Sequence, residues 1–367
     1  MPKNSRRDVL KKMVGLPILG SVGSVSVVRS FEEICLAEAT SEGAAAEKAP
    51  DGTTAATRKT FTPPPRPKLK EKVPMSQIKD VPVSRMFLGG NLIGGWAHAR
   101  DMIYASDLVK AYHTEEKVYE TFWLAEQCGI NLFLGHYSLF QMVSGYWKYT
   151  PGKMKFFADC STTNPDVIRK IVDDGAAGIY IQGETNDRLV REGKFDELEK
   201  TFTLMKSLGV PVGLGAHRIH TIKTCVEKGF LPDFWMKTYH HHDYPSARQA
   251  KAASSYEYYS IFCHEPEETR KFMETRPEPW IAFKVLAAGA IRPESGFRYA
   301  FEGGADFLCV GTYDFQVVPN VNTVVGILNG DLSKRTRPWC TETLDRKALL
   351  KAEREAKKQA LQEKQDG

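Results

Sequence analysis

The sequence has no CxxC pair and no zinc-finger spacing among its seven cysteines, an odd number. The cysteines therefore predict no disulfide framework, although oxidation of a single pair stays open. No apolar run in the body of the chain reaches the ~18 residues that a membrane helix needs, so we expect no membrane span in the mature protein. The net charge of +5 is spread along the chain without a basic stripe, and we expect no nucleic-acid partner.

The N-terminus carries a pair of arginines followed by an apolar stretch of small residues. Ser5-Arg6-Arg7-Asp8-Val9-Leu10-Lys11 resembles the S-R-R-x-F-L-K pattern of twin-arginine signals, with Val9 in the slot usually held by Phe. An amphipathic or chance N-terminal helix is the alternative interpretation. The pattern predicts a signal peptide over residues 1–36, the twin-arginine translocase as a partner during export, and a periplasmic or otherwise exported mature protein.

Composition divides the remaining chain into three parts. Residues 37–80 are rich in Ala, Thr, Pro and Lys and bury too little apolar area to fold, which indicates a disordered or polyproline linker. Residues 341–367 read as a solvated, highly charged helical tail. The part between them, 81–340, is about the ~250 residues typical of one α/β barrel.

Short apolar or β-branched runs alternate with helical patterns between residues 81 and 340, which is the rhythm of repeated βα units. Eight runs predict strands: Met86–Gly90, Ile130–Gly135, Met154–Ala158, Gly178–Gln182, Val210–Gly215, Phe234–Tyr239, Trp280–Val285 and Asp306–Gly311. A doubly wound open sheet is the rival architecture, but no glycine-rich dinucleotide fingerprint follows the first run. The sequence therefore predicts an α/β protein with a single (β/α)8 TIM barrel.

Polar side chains follow several of the predicted strands, at the end where such barrels build their active sites. Imidazole and carboxylate ligands suit zinc, iron or manganese, and we predict that one such divalent ion is bound by His136, Glu184, His217 and His240. Asp159 ends the third run and joins His217 and Glu184 as a candidate catalytic group. The alternative is that His217 donates to a backbone carbonyl and the histidines after residue 240 face water.

Two lysines lie in otherwise apolar runs, where a lysine must be paired or functional. The segments around Lys237 and Lys284 resemble the strand-six and strand-seven lysines of class I aldolases of the deoxyribose-phosphate type. This resemblance implies that one lysine forms a Schiff base while the other lowers its pKa. The alternative is a structural role, with both lysines neutralised by Asp159, Glu184 or Asp187.

Small residues follow the last two predicted strands. Leu286–Pro293 and Gly303–Thr312 are similar to the segments with which many barrels hold an anion on backbone N–H groups, which predicts substrate or cofactor binding at Gly289, Ala290, Gly311 and Thr312. Tight strand-to-helix packing would need the same small residues. A carboxylate or a sugar hydroxyl is the expected occupant outside the cytoplasm.

Two longer segments resemble known families of barrels. Arg85–Trp96 and Ala125–Phe133 look like the opening of an aldo/keto reductase barrel. Lys237–His241 and Trp280–Gln316 are similar to segments of a group of exported bacterial barrels whose chemistry is poorly characterised. The combined resemblance spans roughly Arg85 to Val325 and implies the barrel fold.

The reductase catalytic set of Asp, Tyr, Lys and His departs from its family pattern. The Asp position holds Leu134, the lysine position falls at residues 158–160 and the histidine slot holds Gln182 or Gly183, so Tyr137 would lack the groups that lower its pKa. NADPH is therefore less expected than a metal. The sequence favours an exported lyase, aldolase or isomerase-like enzyme acting on a small carbonyl or sugar-derived substrate. An altered reductase and a barrel that only binds a sugar or carboxylate are the alternatives.

Overall fold

The computed structural model of the protein describes residues 67–96, 102–249 and 260–344. The predicted signal peptide, most of the predicted linker and nearly all of the charged tail lie outside these residues. None of the helices found within them is long and apolar enough to cross a membrane.

A two-stranded antiparallel hairpin precedes the barrel. It consists of β1 (Met75–Ile78) and β2 (Val81–Ser84) and turns at Lys79, whose φ is 56°. Ile78 and Val83 are buried and pack into the barrel interior at the end where the strands begin. The folded part therefore begins before residue 81, inside the stretch predicted as linker. The alternation of buried and exposed residues in β1 covers only four positions, and the neighbouring Pro and Lys residues obscure it in the sequence.

Eight parallel strands form a closed barrel, which confirms the predicted fold class. Each strand begins and ends within two residues of the apolar run that predicted it. The last strand pairs with the first, so the sheet has no free edge. In chain order they are β3 (Met86–Gly89), β4 (Leu132–His136), β5 (Lys155–Cys160), β6 (Gly178–Ile181), β7 (Val212–Ala216), β8 (Phe234–Thr238), β9 (Trp280–Phe283) and β10 (Phe307–Val310).

Helices connect the strands around the outside of the barrel. Asn164 shows how one of them begins: its side chain accepts a hydrogen bond from the Asp166 backbone N–H, Pro165 occupies the first turn, and Ile168 then packs into the core. The helices are α1 (Ala105–Tyr112), α2 (Glu115–Gln127), α3 (Phe140–Tyr149), α4 (Pro165–Asp173), α5 (Gly183–Arg191), α6 (Phe195–Lys206), α7 (Ile219–Glu227), α8 (Pro245–Gln249), α9 (Pro266–Met273), α10 (Pro293–Glu302) and α11 (Asp314–Leu328).

The core has two layers because strand residues alternate between the two faces of the sheet. Side chains such as Phe157, Phe234 and Met236 fill the barrel interior. Their neighbours, including Trp235 and Trp280, pack between the strands and the helices. Position along a strand therefore decides whether a side chain can reach the interior.

The six cysteines among the described residues are all free, and five of them are buried. Burial raises the pKa of Cys160, Cys225 and Cys309 to about 12 in each case. A thiol with so high a pKa is almost entirely protonated at neutral pH and reacts slowly with oxidants. These cysteines serve as packing residues.

Candidate active site

A cavity of about 730 Å³ opens where the barrel strands end. Six of the sequence-predicted site residues line it: His136, Asp159, His217, Lys284, Gly289 and Gly311. Gly89 lets the ends of β3 and β10 approach each other closely beside it, since a Cβ on Gly89 would lie 3.0 Å from the Gly311 backbone N. The cavity therefore occupies the position at which TIM barrels carry out their chemistry.

Asp159 lies between His136 and Tyr180 in one layer of the barrel interior. The strand register pairs His136 with Asp159 and Asp159 with Tyr180, so the three side chains share one face of the sheet. Burial raises the pKa of Asp159 to about 6, against the opposing effects of His136 and of a hydrogen bond with Tyr180. Within the described residues, the buried Oδ1 of Asp159 has no hydrogen-bond partner.

His136 is held by two serines. Its Nδ1 accepts a hydrogen bond from the Ser138 backbone N–H at 3.1 Å and lies 2.8 Å from the Ser138 hydroxyl. Its Nε2 lies 3.0 Å from the Ser161 Oγ. Because Nδ1 accepts, the neutral ring carries its proton on Nε2. Both ring nitrogens of His136 thus have partners other than a metal.

His217 is oriented by Asp187 of α5. The Asp187 Oδ2 lies 2.9 Å from the His217 backbone N and 3.0 Å from its Nδ1, while the Thr221 hydroxyl donates to Oδ1 at 2.5 Å. Burial alone would raise the pKa of Asp187, but the bonds from His217 and Thr221 hold it below its ordinary value. An ionised carboxylate accepts only, so Nδ1 carries the proton and Nε2 is the nitrogen left for a substrate.

Lys284 follows β9 and lines the cavity. Its backbone is in the left-handed region with φ of 55°, and Ala287 and Ala288 of the same loop also have positive φ. Non-glycine residues rarely adopt this conformation, which costs about 1 to 3 kcal/mol each and is concentrated at functional sites. The Lys284 ammonium lies 4.6 Å from the centre of the Phe262 ring, within the range of a cation–π interaction.

Lys237 lies outside the cavity, on the opposite face of the sheet. It alternates with Met236, which faces the interior, and its ammonium donates to the backbone carbonyls of His217 at 2.8 Å and Thr238 at 2.7 Å. The side chain is fully buried, and burial lowers its pKa. The paired-lysine interpretation does not fit this placement of Lys237, because Lys284 lies after the end of β9 and lines the cavity, whereas Lys237 does not.

The predicted metal ligands do not converge on one point. His240 is fully buried, its Nδ1 donates to the His241 carbonyl, and its Nε2 accepts from the backbone N–H groups of Phe262 and Cys263. Burial lowers the pKa of His240 to about 3, so the ring is neutral and both nitrogens are used. The expectation that His240 ligates a metal together with His136 does not fit these bonds.

A different group of potential ligands is brought together by α5 and the end of β7. Donor atoms of Glu184, Asp187 and His217 lie within 4.8 Å of one another. Glu184 is exposed and outside the cavity lining, whereas both Asp187 oxygens already accept hydrogen bonds, including one from Thr221. These residues fit an oriented histidine better than a complete metal site.

Of the four residues predicted to bind an anion, two line the cavity and two do not. Gly289 and Gly311 line the cavity. Ala290 is exposed and lies outside the lining, and the buried Thr312 hydroxyl donates to the Val310 carbonyl at 3.1 Å. The Gly289 N–H already donates to the Leu286 carbonyl at 2.9 Å, and Thr312 stabilises the turn after β10.

Sequence reasoning missed Tyr180, Phe262 and the Asp187–His217 pair. Tyr180 could have been found from the alternation in β6, because it shares a parity with the interior positions. Asp187 lies five residues after a predicted strand end, on α5, a helix that the sequence did not indicate. Phe262 carries no local signal, since only the fold brings it to the cavity.

Comparisons with known proteins bear on the fold. No protein-family model matches the chain. No curated protein matches it either. Among solved structures, a proposed aldo-keto reductase from Pseudomonas aeruginosa has 14% identity and a TM-score of 0.50, with 71% of this chain and 98% of that one covered.

Two further structures are more distant. An (S)-mandelate dehydrogenase from Pseudomonas putida has 12% identity and a TM-score of 0.40, with 74% of this chain and 81% of that one covered. An aldolase has 17% identity and a TM-score of 0.36, with 60% of this chain and 94% of that one covered. The likeness to the proposed aldo-keto reductase, at 14% identity, shows the fold alone.

Proposed function

We propose that the protein is an exported TIM-barrel enzyme of the isomerase or lyase kind, which moves a proton next to the carbonyl group of a small carbonyl or sugar-derived substrate. The observation that carries this proposal is Asp159, whose burial raises its pKa to about 6. A general base works best when its pKa lies near the operating pH. Asp159 shares the cavity with His217 and Lys284, which supply the other groups such a reaction needs.

Each of these groups has a role that follows from its surroundings. The Asp159 carboxylate takes a proton from the carbon beside the carbonyl, and the C–H electrons form a C=C bond as the carbonyl π electrons move onto oxygen. The Lys284 ammonium stabilises the negative charge on that oxygen. His217, with Nδ1 fixed by Asp187, exchanges protons with substrate oxygens through Nε2. Reprotonation of the neighbouring carbon gives an isomer, and loss of a leaving group gives a lyase product.

The reductase alternative is not favoured by the tyrosines available. A reductase needs a phenol whose pKa is lowered, whereas burial raises the pKa of both Tyr137 and Tyr180, with Asp174 adding to the effect on Tyr137. Tyr137 also donates its hydroxyl to Asp174 and lies outside the cavity lining. NADPH therefore stays the less favoured cofactor prediction.

A metal-assisted form of the reaction stays a prediction from the sequence. Glu184, Asp187 and His217 are the group that would hold zinc, iron or manganese, which would polarise a substrate carbonyl. Asp187 would have to exchange its bonds from His217 and Thr221 for the ion. Metal analysis of purified protein, repeated on His217→Ala, tests this form directly.

Proton exchange in deuterated water is the experiment that tests the proposed chemistry. Purified protein is incubated in D2O with a panel of aldoses, ketoses and 2-oxo acids, and loss of the proton signal beside the carbonyl is followed by NMR. We expect catalysed exchange with at least one compound and none with Asp159→Asn. Binding without exchange would instead support a barrel that only binds its ligand, and carbonyl reduction dependent on NADPH would support the reductase.

Export rests on the arginine pair at Arg6 and Arg7, which lie outside the described residues. We propose that the twin-arginine translocase carries the protein to the periplasm or another exported location. That pathway moves proteins already folded, which suits a barrel whose strands pair around a complete ring.

A further inference from the structure

The three consecutive histidines after β8 lie beside a distant part of the chain. Residues 240–244 leave the strand, and residues 260–263 return to pack against them. Four hydrogen bonds join the two segments: His240 Nε2 accepts from the N–H groups of Phe262 and Cys263 at 3.0 Å each, His242 Nε2 donates to the Cys263 carbonyl at 2.6 Å, and the Tyr244 hydroxyl donates to the Ser260 carbonyl at 2.9 Å.

The returning segment forms one wall of the cavity. Phe262 lines it, and the Lys284 ammonium lies 4.6 Å from the Phe262 ring centre. Ile261 packs with Tyr244, Ala287 and Ile291 in a separate apolar cluster. The same segment is therefore attached to the 240–244 segment on one side and to the loop after Lys284 on the other.

His240 can accept hydrogen bonds at Nε2 only as a neutral ring. Its Nδ1 donates to the His241 carbonyl at 2.9 Å, which leaves the Nε2 lone pair as the acceptor for two buried N–H groups. Burial lowers the pKa of His240 to about 3, so the ring is uncharged at neutral pH. Leaving a buried N–H group without an acceptor is unfavourable, so the two bonds to Nε2 hold Phe262 and Cys263 in place.

We infer that His240 is a positioning residue, which holds Phe262 at the cavity wall and through it places the Lys284 ammonium, with His242 as a second support. We call the four hydrogen bonds between residues 240–244 and 260–263 the clamp. The inference rests on the proposed function only for the role of Lys284, whereas the clamp does not depend on it. It also gives the histidine run a purpose other than metal binding. His241 is the exception within the run, because its Nε2 lies 2.8 Å from the Ser295 hydroxyl and it takes no part in the four bonds.

The two neighbouring histidines provide a matched pair of variants. His240→Phe keeps a ring of similar shape and removes the acceptor, and His241→Phe makes the same change outside the clamp. Amide hydrogen exchange at Phe262 and Cys263 is followed by mass spectrometry or NMR. We expect exchange about fivefold faster or more in His240→Phe, because the Phe ring offers no acceptor to these two amides, and unchanged exchange in His241→Phe. Unchanged exchange in His240→Phe would overturn the inference.

Kinetics then test the link to Lys284. In a double-mutant cycle on the best substrate of the exchange panel, His240→Phe should lower kcat several-fold in the natural protein and have little effect on kcat in a Lys284→Met background. A purely structural role would give equal effects in both backgrounds and would contradict the inference. If His240→Phe fails to fold, His242→Phe removes one bond of the clamp and replaces it in both experiments. If no substrate is found, the proposed function fails, but amide exchange still decides the clamp.

Discussion

Burial in the folded protein stabilises the neutral form of the Asp159 carboxyl group. The folded pKa of about 6 lies above the ordinary value of 3.8, so the folded state binds this proton more tightly than the unfolded chain does. The contribution of Asp159 to stability is therefore present at low pH, falls as pH rises from about 4 to about 6, and stays constant above that range. At neutral pH the buried Asp159 carboxylate is charged, which the proposed catalysis requires but which lowers the stability of the folded state.

Replacing Asp159 should separate these two effects. We expect Asp159→Asn to lower kcat by about 10²- to 10⁴-fold, the usual contribution of a general base. The same variant should gain roughly 2 to 3 kcal/mol in free energy of unfolding at pH 7, since a shift of about two pKa units corresponds to that energy. Urea unfolding at pH 4 and pH 7 measures the difference, and the gain should be absent at the lower pH.

Wild-type activity offers an independent check on Asp159. The rate should fall as pH drops through about 6, because the protonated carboxyl cannot act as a base. A rate that stays level down to pH 4 would mean that Asp159 has another role and that a different group removes the proton.

Lys284 is the lysine that a carbonyl compound can reach. If the reaction passes through a Schiff base, borohydride added with a substrate should leave a reduced adduct on Lys284 and none on Lys237, whose ammonium is fully buried on the outer face of the sheet. Peptide mapping by mass spectrometry identifies the labelled residue. Labelling of Lys237 would contradict the placement of its side chain, and no labelling of either would leave Lys284 an electrostatic role.

At the scale of elements, strand parity governs which residues enter the site. Moving one position along β8 exchanges Met236 in the interior for Lys237 on the outer face. A lysine in an apolar run is expected to be paired or functional. The run Phe234-Trp235-Met236-Lys237, however, is apolar on both faces. The sequence therefore could not tell which face the lysine occupies.

Contact between β7 and the start of α5 positions the Asp187–His217 pair. Gly215 permits it, because a Cβ there would lie 2.9 Å from both the Gly183 backbone N and the Ile181 carbonyl oxygen. We expect Gly215→Ala to lower the free energy of unfolding by about 1 to 3 kcal/mol, as overpacking does, and to reduce activity by displacing α5. Thermal unfolding and the exchange assay measure the two effects.

An exposed helical glycine provides the control. A Cβ on Gly326 of α11 would meet nothing within 4 Å, and Gly326→Ala should stabilise the protein by about 1 kcal/mol while leaving activity unchanged. Equal effects of the two substitutions would show that β7 tolerates a side chain and that the close approach at Gly215 does not position the pair.

The strands were predictable from the sequence because each is a short apolar run, and burial on both faces of a parallel sheet produces such runs. Asp159, His217 and Lys284 could be selected because polar residues at strand ends are conspicuous. Pairings such as Asp187 with His217 and His240 with Phe262 could not, since they join residues 30 and 22 positions apart through the fold. Hydrogen bonds of this kind decide which histidine stays available to a substrate.

At the scale of the whole molecule, the two ends of the barrel are built differently. The cavity opens at the end where the strands finish, whereas the opposite end is closed by the β1–β2 hairpin and by the segment after α11. There Asp306 is bound by Arg337 at 2.6 Å and by the Cys340 backbone N at 3.0 Å, and Arg85 donates to the Asp306 carbonyl at 3.1 Å. These bonds stabilise the closed end of the barrel, whereas the open end holds the cavity.

Export is the property of the whole chain that the arginine pair predicts. Because the twin-arginine translocase reads both arginines as an address, replacing Arg6 and Arg7 together by Lys should leave the precursor in the cytoplasm while the barrel still folds. Cell fractionation with immunoblotting measures the location, and the proton-exchange assay on the cytoplasmic fraction measures folding. Lys keeps the positive charge, so a block in the double variant would reflect recognition of arginine. Normal export of the double variant, or of the natural chain in cells without the translocase, would contradict the twin-arginine prediction and leave the barrel chemistry untouched.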